Sequence, residues 1–382
     1  MTAALTGMTW DHPRGHRVLD ALTERDRAAP AAGYAPVTWR RHSLEDFEAR
    51  PLRTFCDEAD LVVLDHPGLG EAVADGCLRP LDTLFTPGEL AALAAESAGP
   101  SFASYHHEGR QWALPVDAAT QVSVVRADVA RRPGTWAEAL AAARELPTAL
   151  CLGGPHAFLM FAAVCTALGA PPCQTRDRVV DPAVGAAALD LMAELLDAAD
   201  PGLSLRNPIA VLDAMAAPGG PAYCPLVYGY VTYQGALRAF DAPRGVGGRG
   251  SVLGGVGMAV TRSCTDPDQA RAHLLRLLGP EVQTSLYPDL GGQASTAAAW
   301  RDPVVNAAAH GFYRDTQDTL DTAWTRPRFA GFVPFQQGAA ATIRDGLAER
   351  TTPARVLARL DAAFHEAHRT APHAAHTTGD SS

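Results

Sequence analysis

Lysine is absent: all 32 basic side chains of this 382-residue sequence are arginines. Without that amine the chain can form no Schiff base to pyridoxal phosphate and build no lysine-bearing phosphate loop. Cys-x-x-Cys is missing as well. The seven cysteines (Cys56, Cys77, Cys151, Cys165, Cys173, Cys224, Cys264) are odd in number and most sit in apolar surroundings. They read as reduced core thiols, in place of a zinc site or a disulfide framework. No apolar run reaches the roughly 18 residues that a bilayer requires, so no membrane insertion is expected. The net charge of −10 leaves no basic stripe for a phosphate backbone, which excludes nucleic acid as a partner. No Ser or Cys nucleophile lies in an elbow motif, and Gly254 to Gly257 lack the dinucleotide-binding pattern, so no cofactor is expected. Neither a basic nor an apolar leader segment precedes residue 5, and the expectation is a cytoplasmic protein, periplasmic or extracellular only if a longer precursor was trimmed.

What is present starts with size. The length fits two domains, and 47% hydrophobic with 19% charged residues is a globular composition. The tripeptide Asp-His-Pro occurs twice, at 11–13 and at 65–67, each time at the end of a short apolar run. Proline forbids a strand to continue, so both tripeptides mark strand tips. In an open parallel sheet such tips face one crevice, where ligands bind.

Along the chain, helical spacing over 18–27 leads to a turn around Pro30 and a strand at 36–40. Ser43 caps a helix that buries Leu44, Phe47 and Leu52, with Asp46 as the short-armed partner in the cap. The run 61–64 is a strand covered on both faces. Strand, helix and strand with short links give parallel pairing and right-handed crossovers, hence a doubly wound α/β lobe. Thr86-Pro87-Gly88-Glu89 opens another helix, 105–116 reads as a hairpin turning at Glu108-Gly109, and 149–152 reads as a strand before the apolar helix 158–168. The tail 368–382 is polar, small and contains proline, a composition that favours disorder.

The order of features resembles an extracellular solute-binding protein of an ABC importer. It rests on Leu78-Arg79-Pro80-Leu81-Asp82, the Gly109 to Pro115 hairpin, Thr135-Trp136-Ala137-Glu138-Ala139, Gly254 to Val260, Asp266 to Ala270 with Pro280 to Gln283, and Gly291-Gly292-Gln293-Ala294, where Ala294 replaces a family proline. The resemblance covers roughly residues 5–363. It implies a two-lobed periplasmic-binding-protein-like fold, each lobe a doubly wound, mainly parallel sheet, with cleft and hinge between them. The first lobe would comprise 1–116 and 254–301, the second 117–253 and 302–367. The implied activity is closure over one small polar solute, anionic in the expectation here, with an ABC permease as partner if the protein is exported. The alternative is a cytosolic enzyme on the same scaffold, performing isomerisation, elimination or cyclisation.

Asp11, His12, Asp65 and His66 are the candidates from the two tips. They could bond a ligand, form an acid and base pair in an enzyme, hold a divalent metal, or merely cap turns. Arg14 and Arg326 could grip a carboxylate in bidentate fashion. Trp10, Tyr228 and Tyr230 offer rings on which a ligand could stack, and the two tyrosines flank Gly229 on a loop. His156 sits at a helix start whose free N–H groups favour an anion. Asp117 and Gln121 flank the crossing between the lobes, and the resemblance puts Gln293 and Arg326 beside the ligand.

Overall fold

The computed structural model describes residues 4–28, 36–43, 46 and 50–371. The expected turn around Pro30, the helix residues Leu44 and Phe47, and the tail from 372 onward lie outside the described residues. Strand β1 (Thr6–Trp10) stops at the first Asp-His-Pro, and Pro13 is the first residue of helix α1 (Pro13–Ala28). That start precedes the spacing signal at Val18, because proline presets a helical φ and lacks only an N–H that would go unused in a first turn. Strand β2 (Thr38–His42) pairs in parallel with β1, and β3 (Leu61–Leu64), buried along its whole length, pairs in parallel on the other side. The expected cap is present: the Asp46 N–H donates to Ser43 Oγ at 3.0 Å. Short helices α2 (Arg53–Cys56) and α3 (Leu69–Ala74) flank β3 in sequence.

Helix α4 (Pro87–Glu96) opens on a full capping box between Thr86 and Glu89. A two-residue ribbon, His106–His107 against Arg110–Gln111, turns at Glu108-Gly109 as expected. The strand that follows, β4 (Ala113–Arg126), does not end near Val116 but runs for 14 residues. Its second half pairs with β5 (Tyr223–Tyr228) and β6 (Leu237–Phe240), and its first half with β7 (Leu253–Val260), all antiparallel. Strand β7 also lies antiparallel to β3, giving the order β2-β1-β3-β7-β4-β5 with β6 on β4. Pro115 is tolerated inside β4 because the register shifts opposite it, between Val256 and Gly257.

One strand thus runs through both lobes. On the first side Leu5, Val63, Leu114, Met258 and Leu274 share a core. The second side packs α5 (Trp136–Glu145), α6 (His156–Ala167), α7 (Pro182–Ala198), α8 (Pro208–Ala216) and three late helices around its sheet; helix α9 (Pro267–Leu277) returns to the first core. The late helices are α10 (Phe312–Asp321), α11 (Phe332–Ala348) and α12 (Pro353–Thr370). Phe158, Phe161, Met192, Phe332, Ile343 and Phe364 form the second core, each worth roughly 1.5–3 kcal/mol of burial. The strand expected at 149–152 does not form. Thr148 alone makes bridges, to Ala199 and Tyr223, while the Leu152 N–H is taken by the Ser204 carbonyl at 2.8 Å.

Candidate ligand-binding cleft

Between the lobes lies a cavity of about 130 Å³. From the first lobe it is lined by His42, Arg50, Leu52, Phe55, Asp65, Pro67, Gly68 and Glu71. From the second it is lined by Pro155, His156, Leu159, Pro208, Tyr228, Tyr230, Arg326, Val333, Gln336 and Gln337. Five of the residues expected from sequence therefore meet there: Asp65, His156, Tyr228, Tyr230 and Arg326. The second Asp-His-Pro tip forms part of the wall, since β3 ends at Leu64 and the next residues curl into a short 3₁₀ turn, His66–Gly68.

Arg326 is 4% exposed and aims one terminal nitrogen at both oxygens of Asp65, at 2.8 and 2.7 Å. The same nitrogen reaches the Leu253 carbonyl, and the other terminal nitrogen donates to Gln336 Oε1 at 3.4 Å. Its Nε is buried with no partner. Burial alone would push the Asp65 carboxyl up, but the Arg326 charge, aided by His66, overrides it and holds the group at about 2. His156 is 4% exposed, and neither ring nitrogen has a hydrogen-bond partner. Burial, then the charges of Arg326 and Arg344, lower it to about 3, so the ring is neutral and offers one donor and one acceptor. Its edge meets the Tyr228 ring at 5.9 Å between centroids.

The first Asp-His-Pro tip behaves differently from the second. Asp11 is 62% exposed and faces Arg41 at 3.5 Å and His16 at 3.9 Å, outside the cavity lining. His12 accepts from the Arg14 N–H at 3.2 Å and lies edge-on to Tyr230 at 5.5 Å, so it touches the lining without belonging to it. Burial and the charge of Arg14 lower its pKa to about 4. Trp10 is core: its ring fills the space where a Cβ on Gly15 would stand. Arg14 is not free to grip a ligand carboxylate end-on, because Asp117 already takes its Nε at 2.7 Å and its Nη2, both residues being buried. The Arg14 guanidinium also lies over the Tyr230 ring, 4.8 Å from its centroid.

His66 is 1% exposed behind Asp65, its Nδ1 3.2 Å from Asp65 Oδ1 without the alignment of a hydrogen bond. Burial and Arg326 lower it to about 4. Gln121 is buried in β4, away from the lining, with its side-chain oxygen unpartnered. Gln293 is a strap between segments: its Nε2 donates to the Ala118 carbonyl at 3.1 Å and its Oε1 accepts from the Val231 N–H at 3.2 Å.

Sequence reasoning missed the wall made by His42, Phe55, Gln336 and Gln337. His42 and Phe55 stack at 4.4 Å, an association across the 43–52 segment that no local pattern announces. Gln336-Gln337 carried a readable signal: two adjacent amides directly after the apolar Phe332-Val333-Pro334-Phe335 start of the helix, and both line the cavity.

No family model matches the chain, and no curated protein matches it in sequence. Solved structures do. This two-lobed α/β architecture is the fold of the solute-binding proteins of ABC importers. Among them, maltose-bound MalE3 of T. maritima superposes with a TM-score of 0.78 at 17% identity, over 95% of this chain and 99% of that one. A solute-binding protein of Thermotoga lettingae bound to alpha-D-tagatose gives 0.80 at 13%, over 96% and 100%. UgpB of Mycobacterium tuberculosis with glycerophosphocholine gives 0.75 at 14%, over 97% and 99%.

Proposed function

We propose that the chain binds a small polar solute in the interlobe cavity by closure of the lobes, as a receptor or sensor. The observation that carries this reading is His156: a neutral imidazole, walled into the cavity with both ring nitrogens unpartnered. A buried polar group left unmade costs on the order of 1–3 kcal/mol, and a ligand hydroxyl would recover it. The structural neighbours named above, bound to a sugar, a ketose and a phosphodiester, support a polar solute. The anionic character is the finer part of the proposal. The unpartnered Nε of Arg326 supports it, and the neutralising Asp65 limits how much charge the ligand can carry. A thermal-shift series of maltose, tagatose, glycerophosphocholine and a dicarboxylate tests this, followed by calorimetry on whatever raises the melting temperature. Silence from all four would remove the support that the neighbours lend.

A second reading, an enzyme using the Asp65 and His66 pair, is favoured by their 3.2 Å contact. It requires that a compound bound by the protein be recovered chemically changed. We further propose lobe boundaries at 1–116 with 254–301 and at 117–253 with 302–367, and a cytoplasmic location, which the seven free thiols favour. If the protein is instead exported, an ABC permease is its proposed partner. Cell fractionation decides between the two.

A further inference from the structure

Away from the cavity, two thiols face one another. Cys56, the last residue of α2, and Cys77, just past α3, are both buried in one small core, with side chains within hydrogen-bonding reach of each other. Backbone contacts fix them: the Cys77 N–H and Sγ both bond the Ala72 carbonyl, at 3.2 and 3.5 Å, and the Cys56 carbonyl accepts from Ser263 Oγ at 2.7 Å. Both cysteines line a surface depression of about 290 Å³ that also holds Arg53, Arg262, Asp57 and Asp75, so a small molecule can approach them where the charges of two arginines and two aspartates offset. The other five cysteines do not line this depression.

We infer that Cys56 and Cys77 form a reversible disulfide that ties α2 to the end of α3. The first of these segments brings Phe55 to the cavity, and the second brings Glu71. The bond forms by exchange with a small-molecule disulfide. The Cys77 thiolate attacks one reagent sulfur, the reagent S–S bond breaks, and one thiolate leaves. Cys56 then gives up its proton, attacks Cys77 in the mixed disulfide and expels the second thiol. The protein loses two hydrogens and the reagent becomes two thiols. The Cys56 thiol is held above its ordinary range and Cys77 below it, chiefly by the hydrogen bond from one to the other, which agrees with Cys77 attacking first. Formation of the bond does not depend on the solute-binding reading; only its effect on a ligand does.

The full chain is incubated with oxidised glutathione, alkylated, and cut with a protease that cleaves after glutamate. Glu58 and Glu71 separate the two cysteines, whereas trypsin leaves them in one peptide. The expected product is a Cys56 peptide linked to a Cys77 peptide, lighter by two hydrogens, and released by dithiothreitol. The oxidised protein is also expected to melt several degrees higher, because the closed loop restricts the unfolded chain. In Cys56→Ser the expected product is a stable glutathione adduct on Cys77. Full alkylation of both cysteines after incubation, or an adduct on each with no cross-link, would overturn the inference.

Discussion

Asp65 and Arg326 join the two sides of the cleft through a single guanidinium nitrogen that touches both carboxylate oxygens. Asp65 stands at the tip of β3 and Arg326 precedes α11, so the pair closes the lobes on each other while occupying the wall a ligand must meet. Charge on either partner alone would be stranded. Arg326 is nearly fully buried, whereas 30% of the Asp65 side chain reaches solvent.

Asp65→Ala is therefore expected to lower the unfolding free energy by about 3 kcal/mol, the lower end for a broken buried pair because Asp65 is partly hydrated. Asp65→Leu combined with Arg326→Met should recover much of that loss. Urea titrations of the single and double variants measure both, and a double variant no better than the single would show that the pair is not an isolated unit.

His156→Phe keeps a ring of similar shape and removes the two unpartnered nitrogens. Affinity for the solute found by the thermal-shift series should fall about tenfold, the value of one neutral hydrogen bond, read by calorimetry. Meanwhile the unliganded melting temperature should hold or rise, since a desolvated polar group has gone. A fall in both would mark His156 as structural.

Acid should destabilise the fold through its buried histidines. His66, His156 and His273 are buried, and burial lowers them to about 4, about 3 and about 4. Unfolded, each takes up a proton below its ordinary 6.5, whereas the folded state refuses it. Their contribution is thus complete above pH 6.5 and is lost as pH falls from 6.5 towards 4, at roughly 1.4 kcal/mol per pH unit per histidine at most. Denaturant midpoints at pH 7, 6 and 5 should step downward. A flat profile over that range would mean that the three rings take up protons in the native state just as they do in the unfolded chain.

Gly70 in α3 lies so close to the segment before α11 that an added Cβ would stand 1.6 Å from the Arg328 carbonyl oxygen. Gly70→Ala should wedge the lobes apart, enlarging the radius of gyration in small-angle scattering and weakening solute binding. An unchanged scattering profile would show that α3 gives way locally instead.

How far the sequence reached can be argued from the two Asp-His-Pro tips. Both were legible as strand ends because proline acts on its own backbone, a local effect. Their fates diverge for reasons no local pattern holds. Asp65 finds Arg326, 261 residues away, and joins the cavity wall. Asp11 finds Arg41 and stays in solvent. Arg14 was expected to grip a ligand carboxylate, and its pairing with Asp117 was not legible, because it depends on β4 passing the start of α1. The capping boxes at Thr86 and Thr135 were written in four residues each and appear as such. The length of β4 was hidden by Pro115, whose usual meaning as a strand end is cancelled by a register shift supplied from β7.

Because β3 is completed by β7, and β4 runs through both lobes, neither lobe is a continuous stretch of chain. During synthesis β3 emerges nearly two hundred residues before its antiparallel neighbour does. At roughly 5–20 residues per second this leaves the edge of β3 without its native neighbour for tens of seconds. The first half of the molecule must therefore be kept from pairing with other chains while it waits. For the same reason, no single cut between the lobes would yield two pieces able to fold apart.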